Sequence, residues 1–128
     1  MPKAMVVDDS RAIRMILSKA LGSLGFEVSQ ASNGREALER MVEVQQIDDT
    51  PLSVILVDWN MPEMNGLEFV QSVRANPEYE LIKLMMVTTE TQIEQVTRAL
   101  EAGANEYVMK PFTEEVISDK LRLMGVMD

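Results

Sequence analysis

An α/β fold built on one parallel sheet is what this chain predicts, and three observations carry it. Short apolar runs alternate with segments whose apolar residues recur at helical spacing, the pattern of strands joined by crossover helices. The clearest run, Val54-Ile55-Leu56-Val57, is apolar at every position, as a strand covered on both faces must be. Run after run then stops at a polar or charged residue, namely Asp8, Asp58, Thr88 and Lys110, and passes into a loop or a capping residue.

In order, Met5-Val6-Val7 is a short strand that meets Asp8-Asp9. Ser10 can cap the helix that follows, whose apolar positions are Ile13, Ile16, Leu17, Ala20, Leu21 and Leu24, with Gly25 at its end. Phe26 to Ala31 reads as a weaker second strand, and Asn33-Gly34 turns the chain. Ala37, Leu38, Met41 and Val42 mark the face of a second helix. Residues 43–52 are polar and read as a surface loop, longer than a tight connection needs. The third strand ends at Asp58, and Pro62 with Asn65-Gly66 makes a loop. Asn65 can cap a third helix carrying Leu67, Phe69, Val70 and Val73, which Asn76-Pro77 stops. Ile82 to Val87 is a fourth strand, ending at Thr88-Thr89. Thr91 can cap a fourth helix with Ile93, Val96 and Leu100 inside and Gly103 after it. Tyr107-Val108-Met109 is a fifth strand, ending at Lys110-Pro111. Thr113 with Glu114-Glu115 suits the start of a last helix, whose face is Ile117, Leu121 and Met124. A strand followed by a helix, five times over, implies right-handed crossovers and helices on both faces of the sheet. Two strand orders are common for such chains, and the flavodoxin-like order 2-1-3-4-5 is the one that suits five strands at this length. Met5, Met15, Met41, Met85 and Met86 read as core, Met61 and Met64 as exposed beside a loop.

At 128 residues the chain is one domain of ordinary size, taken as a single domain over 1–128 with no output domain. Its 21 acidic against 12 basic residues give a net charge of -9, which argues against binding nucleic acid or an anionic membrane. It has no cysteine and no histidine, so disulfides, thiolate chemistry and a histidine relay are excluded and a zinc site is disfavoured. No signal peptide and no membrane span are visible, so the expected compartment is the cytoplasm. The remaining chemistry belongs to carboxylates, hydroxyls, lysine and a hard metal ion.

A parallel sheet brings all strand carboxyl ends to one edge, where open α/β folds bind ligands. That edge would carry Asp8 and Asp9, Asp58, Thr88 and Lys110. Singly, these residues have plainer uses: aspartates cap helices, threonine favours strands, and Lys-Pro is an ordinary loop. Together, three close carboxylates repel unless protons or a cation join them. Mg2+ tolerates one or two carboxylates with waters and a phosphate, Lys110 offers a point charge to a phosphoryl oxygen, and Thr88 offers a hydroxyl. These are parts for phosphoryl transfer to a carboxylate.

Val6-Val7-Asp8-Asp9-Ser10, Val57-Asp58-Trp59-Asn60-Met61-Pro62-Glu63-Met64-Asn65-Gly66, Val87-Thr88-Thr89-Glu90, Ala102-Gly103-Ala104 and Lys110-Pro111-Phe112 resemble the receiver domain of two-component response regulators, in its single-domain chemotaxis form. The resemblance covers essentially the whole chain. It implies a signalling module, not an enzyme proper, that catalyses its own phosphorylation and slow autodephosphorylation. Asp58 would be the phosphoacceptor. Asp8, Asp9, Asp58 and the backbone carbonyl of Asn60 would hold Mg2+, with Asp8 acting mainly through water. Thr88 would be the switch hydroxyl and Tyr107 the aromatic switch. Lys110 would pair with the phosphoryl group, and its bond to Pro111 is expected cis. The side chains of Asn60 and Glu90 would tune dephosphorylation. The implied phosphodonor is a sensor histidine kinase of the CheA-like type, and the implied output is a downstream protein, the flagellar motor switch or another signalling protein. Members that bind the motor often carry lysines at the start of the fourth helix. Thr91-Gln92-Ile93-Glu94 has none, although Lys120 remains on the last helix, so motor binding stays open while phosphoryl reception does not depend on it.

Two other readings compete. A Mg2+-dependent phosphohydrolase with an aspartyl-phosphate intermediate typically places a second aspartate two residues after the nucleophile; here that residue is Asn60, which has no acid to offer. A small flavodoxin needs a phosphate cradle after its first strand, where Asp8-Asp9 would repel the ligand.

Overall fold

The computed structural model describes residues 1–47, 50–89 and 93–128. Strands and helices alternate along the chain: β1 (Lys3–Val7), α1 (Arg11–Ser23), β2 (Glu27–Ala31), α2 (Gly34–Ile47), β3 (Leu52–Asp58), α3 (Gly66–Arg74), β4 (Lys83–Thr88), α4 (Ile93–Ala102), β5 (Glu106–Met109) and α5 (Glu114–Leu123). The strands form one parallel sheet in the order β2-β1-β3-β4-β5, as expected for the fold class. No helix among the described residues is long and apolar enough to cross a membrane.

The continuous apolar runs are explained by the two-sided burial of the sheet. Alternate residues of a strand face opposite sides. On β3, Ile55 and Val57 join one core layer with Met5, Met86, Phe69, Val70 and Ala99. Val54 and Leu56 join the other, with Val6, Met85, Leu17, Ile117 and Leu121. Helices α2, α3 and α4 thus cover one face, and α1 and α5 the other. Edge strand β2 shows mostly half-buried positions, which accounts for its weaker apolar signal.

Caps fix where the helices begin. Ser10, Asn65 and Thr113 each accept a backbone N–H three residues on. Asn65 and Glu68 complete a reciprocal capping box. Asn33, read as part of a turn, accepts from the backbone N–H of Glu36 at 2.8 Å and so caps α2, with Gly34 inside the helix. Thr91, read as the cap of α4, lies outside the described residues.

Four expectations need correction. Residues 43–47 are helical and Leu52 is strand, so among the described residues of 43–52 only Thr50 and Pro51 lie outside regular structure. Glu43, Gln45 and Gln46 are good helix formers, and Val44 packs on the core. After Asn76 the chain forms a single 3-10 turn at Pro77–Tyr79 that buries Tyr79, where only a stop was expected. Met15, Ile16, Val42 and Leu100 are exposed, because each lies at or beyond the margin of its helix's buried stripe. Met61 is buried, and Met64 is half-buried against the core.

The turn from β3 into α3 sets the position of the site. Its chain passes so close to the strand end that a Cβ on Gly66 would lie 2.7 Å from Met86 Cε and 2.8 Å from the Asp58 carbonyl oxygen. The Gly66 N–H donates to the Trp59 carbonyl at 2.8 Å across this approach. Gly66→Ala is therefore expected to destabilise the protein by about 1–3 kcal/mol through overpacking. Urea unfolding of the two proteins checks this, and coincident curves would show that the turn yields at no cost.

Candidate functional site

The site lies at the carboxyl edge of the central strands. Val7 is in register with Val57, and Asp58 with Val87. The residues that follow β1 therefore stand beside the end of β3. Asp58 is the last residue of β3 and is buried, with 7% of its surface exposed. The rigid, two-sided packing of the strand before it leaves its backbone no freedom to retreat into solvent.

Asp8 is more buried still, at 1%. Its backbone N–H donates to the Ala31 carbonyl at 3.1 Å, and its Oδ1 accepts from the backbone N–H of Ser10 at 2.8 Å. Arg14, from the first turn of α1, donates from Nη1 to the Asp8 carbonyl at 2.7 Å and from Nε to Gln30 Oε1 at 3.3 Å. Ser10 thus both caps α1 and orients Asp8. Nothing in the local sequence pattern around Arg14 signals that it turns back onto the strand end.

Carboxylate oxygens of Asp8, Asp9 and Asp58 lie within 4.8 Å of one another, with Asp9 exposed. Lys110 enters from the end of β5. Its Nζ lies 3.3 Å from Asp58 Oδ1 and 3.8 Å from Asp8 Oδ2. Its backbone N–H donates to the Thr88 carbonyl at 2.7 Å, which ties the lysine to the end of β4. The Lys110–Pro111 peptide bond is cis, as expected. Thr88 is buried on β4, and its hydroxyl donates to the Thr89 carbonyl at 3.4 Å.

One ammonium does not balance three carboxylates. Burial, and then the charge of Asp8, push the Asp58 carboxyl up from 3.8 to about 6, against the opposing pull of Lys110. Burial likewise raises the Asp8 carboxyl. Asp8 Oδ2 is buried without a hydrogen-bond partner. A buried acceptor with no donor, in a cluster of hard oxygen atoms with excess negative charge, is what a divalent cation such as Mg2+ would satisfy. The residues present fit that ion.

Of the remaining expected residues, Asn60 and Tyr107 fall within the described chain. Asn60 is exposed, two residues beyond Asp58. Between them the buried Trp59 donates its backbone N–H to the Val87 carbonyl at 3.4 Å. The loop then tightens: Glu63 adopts φ 67°, and the Met64 N–H donates to the Pro62 carbonyl at 2.7 Å. Met64 lands against the start of α2, where a Cβ on Gly34 would lie 2.9 Å from its Sδ. The methionine expected to be exposed instead anchors the loop that walls the site. Tyr107, two residues before the end of β5, is half-buried, with the Lys120 ammonium 4.8 Å from its ring centre. Glu90 lies outside the described residues.

The elevated Asp58 carboxyl has a consequence for stability. The folded form holds its proton more tightly than an ordinary carboxyl, so its stabilising contribution is complete below about pH 3.8 and is lost as pH rises through about 6. Asp58→Asn should then raise metal-free stability by about 1–3 kcal/mol at pH 7 and leave it nearly unchanged at pH 3.5. Urea unfolding in EDTA at both pH values measures the difference, and equal stabilities at pH 7 contradict it. Mg2+ at about a hundredfold its dissociation constant should add about 3 kcal/mol to the wild type. Asp9→Ala should lose most of that gain in thermal melts, and an undiminished gain would place the ion elsewhere.

Comparison with known proteins agrees with this arrangement. The family model of the response regulator receiver domain matches residues 4–122. Chemotaxis protein CheY1 of Helicobacter pylori is 42% identical over 123 residues, 95% of each chain. A chemotaxis protein CheY homolog of Campylobacter jejuni is 44% identical over 120 residues, covering 93% of this chain and 88% of the relative. Among solved structures, the chemotaxis response regulator CheY4 of Vibrio cholerae superposes with a TM-score of 0.83 at 38% identity, covering 97% of this chain and 98% of that one. With an acidic pocket at the strand ends, a lysine reaching into it and family agreement along nearly its whole length, the chain belongs to the response regulator receiver domains, the phosphoacceptor switches of two-component signalling.

Proposed function

We propose that Asp58 accepts a phosphoryl group from a phosphohistidine on a sensor histidine kinase of the CheA type. The observation that carries this is the placement of Asp58: fixed at the end of the central strand, with Lys110 3.3 Å from one oxygen and Asp8 and Asp9 alongside. A carboxylate oxygen attacks phosphorus as the bond to the histidine nitrogen breaks, and the departing imidazole takes up a proton. With its carboxyl at about 6, Asp58 is largely anionic at pH 7 and available to attack. Asp8, Asp9, Asp58 and the Asn60 carbonyl would hold Mg2+, which supplies charge neutralisation for the phosphoryl oxygens. Lys110 would transfer its pairing from the carboxylate to a phosphoryl oxygen.

Thr88 would then turn its hydroxyl to the new acceptor and Tyr107 would change position. The surface of α4, β5 and α5 shifts in population towards a form that a downstream protein binds. That partner is the flagellar motor switch or another signalling protein. Side chains of Asn60 and Glu90 would set the lifetime of the acyl phosphate. The chain would act in the cytoplasm as a receiver, and its own catalysis would be limited to phosphorylation and slow dephosphorylation. The phosphohydrolase reading is not favoured, because Asn60 stands where that chemistry needs a second acid.

Incubation with Mg2+ and acetyl phosphate followed by intact mass measurement tests the proposal. A single labile phosphoryl adduct is expected, absent in Asp58→Asn and without EDTA-resistant formation. Formation of the same adduct by the Asp58→Asn protein would overturn the assignment.

A further inference from the structure

Glu106 and Lys120 enclose Tyr107 in a way that the phosphoacceptor chemistry does not require. One carboxylate oxygen, Glu106 Oε1, accepts both the backbone N–H of Tyr107 at 3.0 Å and the Lys120 ammonium at 3.2 Å. The same ammonium sits 4.8 Å from the centre of the Tyr107 ring. Both side chains are largely covered, with 25% of Lys120 and 20% of Glu106 exposed. A cation over an aromatic face is attracted by the ring quadrupole, and partial desolvation strengthens the attraction.

The topology makes this contact a brace. Tyr107 packs against the core layer under α2, α3 and α4, whereas α5, which carries Lys120, buries Ile117 and Leu121 in the opposite layer. β5 is an edge strand, paired among the described residues with β4 alone. Lys120 therefore reaches round the open edge of the sheet to hold a ring on its other side. Glu106 holds the backbone and the ammonium at the same oxygen, so loss of the carboxylate releases both.

The geometry points to a latch: Glu106 and Lys120 are positioning residues that hold the Tyr107 ring as it stands in the unphosphorylated protein, and so set how readily Asp58 is phosphorylated. This rests on the proposal that Asp58 phosphorylation requires Tyr107 to move. A contact made in only one of two states biases the equilibrium towards that state. Removing the latch stabilises neither the phosphoryl group nor its ligands; it only frees the ring, and the free energy of reaching the phosphorylated form falls.

The test uses the full chain with Mg2+ and acetyl phosphate, following adduct formation by intact mass and by the fluorescence of Trp59, the one tryptophan in the sequence. Lys120→Met, which keeps an unbranched side chain without the charge, and Glu106→Ala should each accelerate phosphorylation roughly 3- to 10-fold. Lys120→Arg, which can make both contacts, should stay near the wild-type rate. The two removals change net charge in opposite senses. A long-range effect on the anionic phosphodonor would move their rates in opposite directions, whereas loss of a latch moves both upward.

A spectroscopic signature reads the contact itself. In the unphosphorylated protein the Lys120 ε-methylene protons should be shifted upfield by the Tyr107 ring current, and phosphorylation should return them to the free-lysine position. Rates in Lys120→Met and Glu106→Ala that match the wild type, or diverge in sign, overturn the latch, as does a Lys120 resonance that phosphorylation leaves in place. Wild-type protein that forms no adduct at Asp58 at all would instead overturn the phosphoacceptor proposal, and the latch with it. Circular dichroism of each variant confirms that folding is retained.

Discussion

Asp8 and Asp58 put two carboxylates into the protein interior within reach of each other, and the Lys110 ammonium stands between them. Like charges at this separation in a poorly solvated site repel strongly unless one takes a proton or a cation arrives. Much of the surrounding structure serves to hold the carboxylates where they are despite that repulsion. Strand β3 is buried on both faces and cannot fray. Asp8 is fixed by the Ala31 carbonyl, the Ser10 N–H and the Arg14 guanidinium together. The β3–α3 loop is closed by Gly66 and pinned at Met64.

This frustration gives the site its chemistry. A carboxylate fully satisfied by hydrogen bonds would be a stable acceptor and a poor nucleophile. Asp58 is instead held with its carboxyl elevated and a single lysine at one oxygen. Anything that brings positive charge to the cluster is bound with energy stored by the fold. The stability given up by holding the carboxylates together would be recovered as affinity for a cation that joins them.

Most of this was legible in the sequence because it depends on periodicity and on chain direction. A continuous apolar run reports two-sided burial, and parallel strands must bring their ends together, so Asp8, Asp58, Thr88 and Lys110 could be placed on one edge before any distance was known. What escaped had a different origin. Glu43 and Gln45 put polar side chains on the last turns of α2, and polarity alone does not separate that from a loop. Met64 is held by a contact with Gly34, far away in the chain, and Met61 is buried by the fold of its loop; neither has a local signature. Arg14 looks like any solvated arginine until its helix is docked against the strand end. The Glu106–Lys120 contact needs the tertiary position of α5 relative to the edge of the sheet, which no spacing encodes.

The route from the pocket to the outer surface follows from the same lysine. Lys110 touches the carboxylates through its side chain and the end of β4 through its backbone N–H, bonded to the Thr88 carbonyl at 2.7 Å. It is also the residue next to β5, three positions before the Thr113 cap of α5. A change in what its ammonium pairs with therefore acts on a residue that is already tied to β4, β5 and the entry to α5. Tyr107 lies on the same short strand, and α5 returns Lys120 to its ring. The proposed coupling would need no long relay: pocket and surface share β5 from opposite ends. Because the strand has only four residues, a shift at one end has few backbone bonds in which to dissipate before it meets the other.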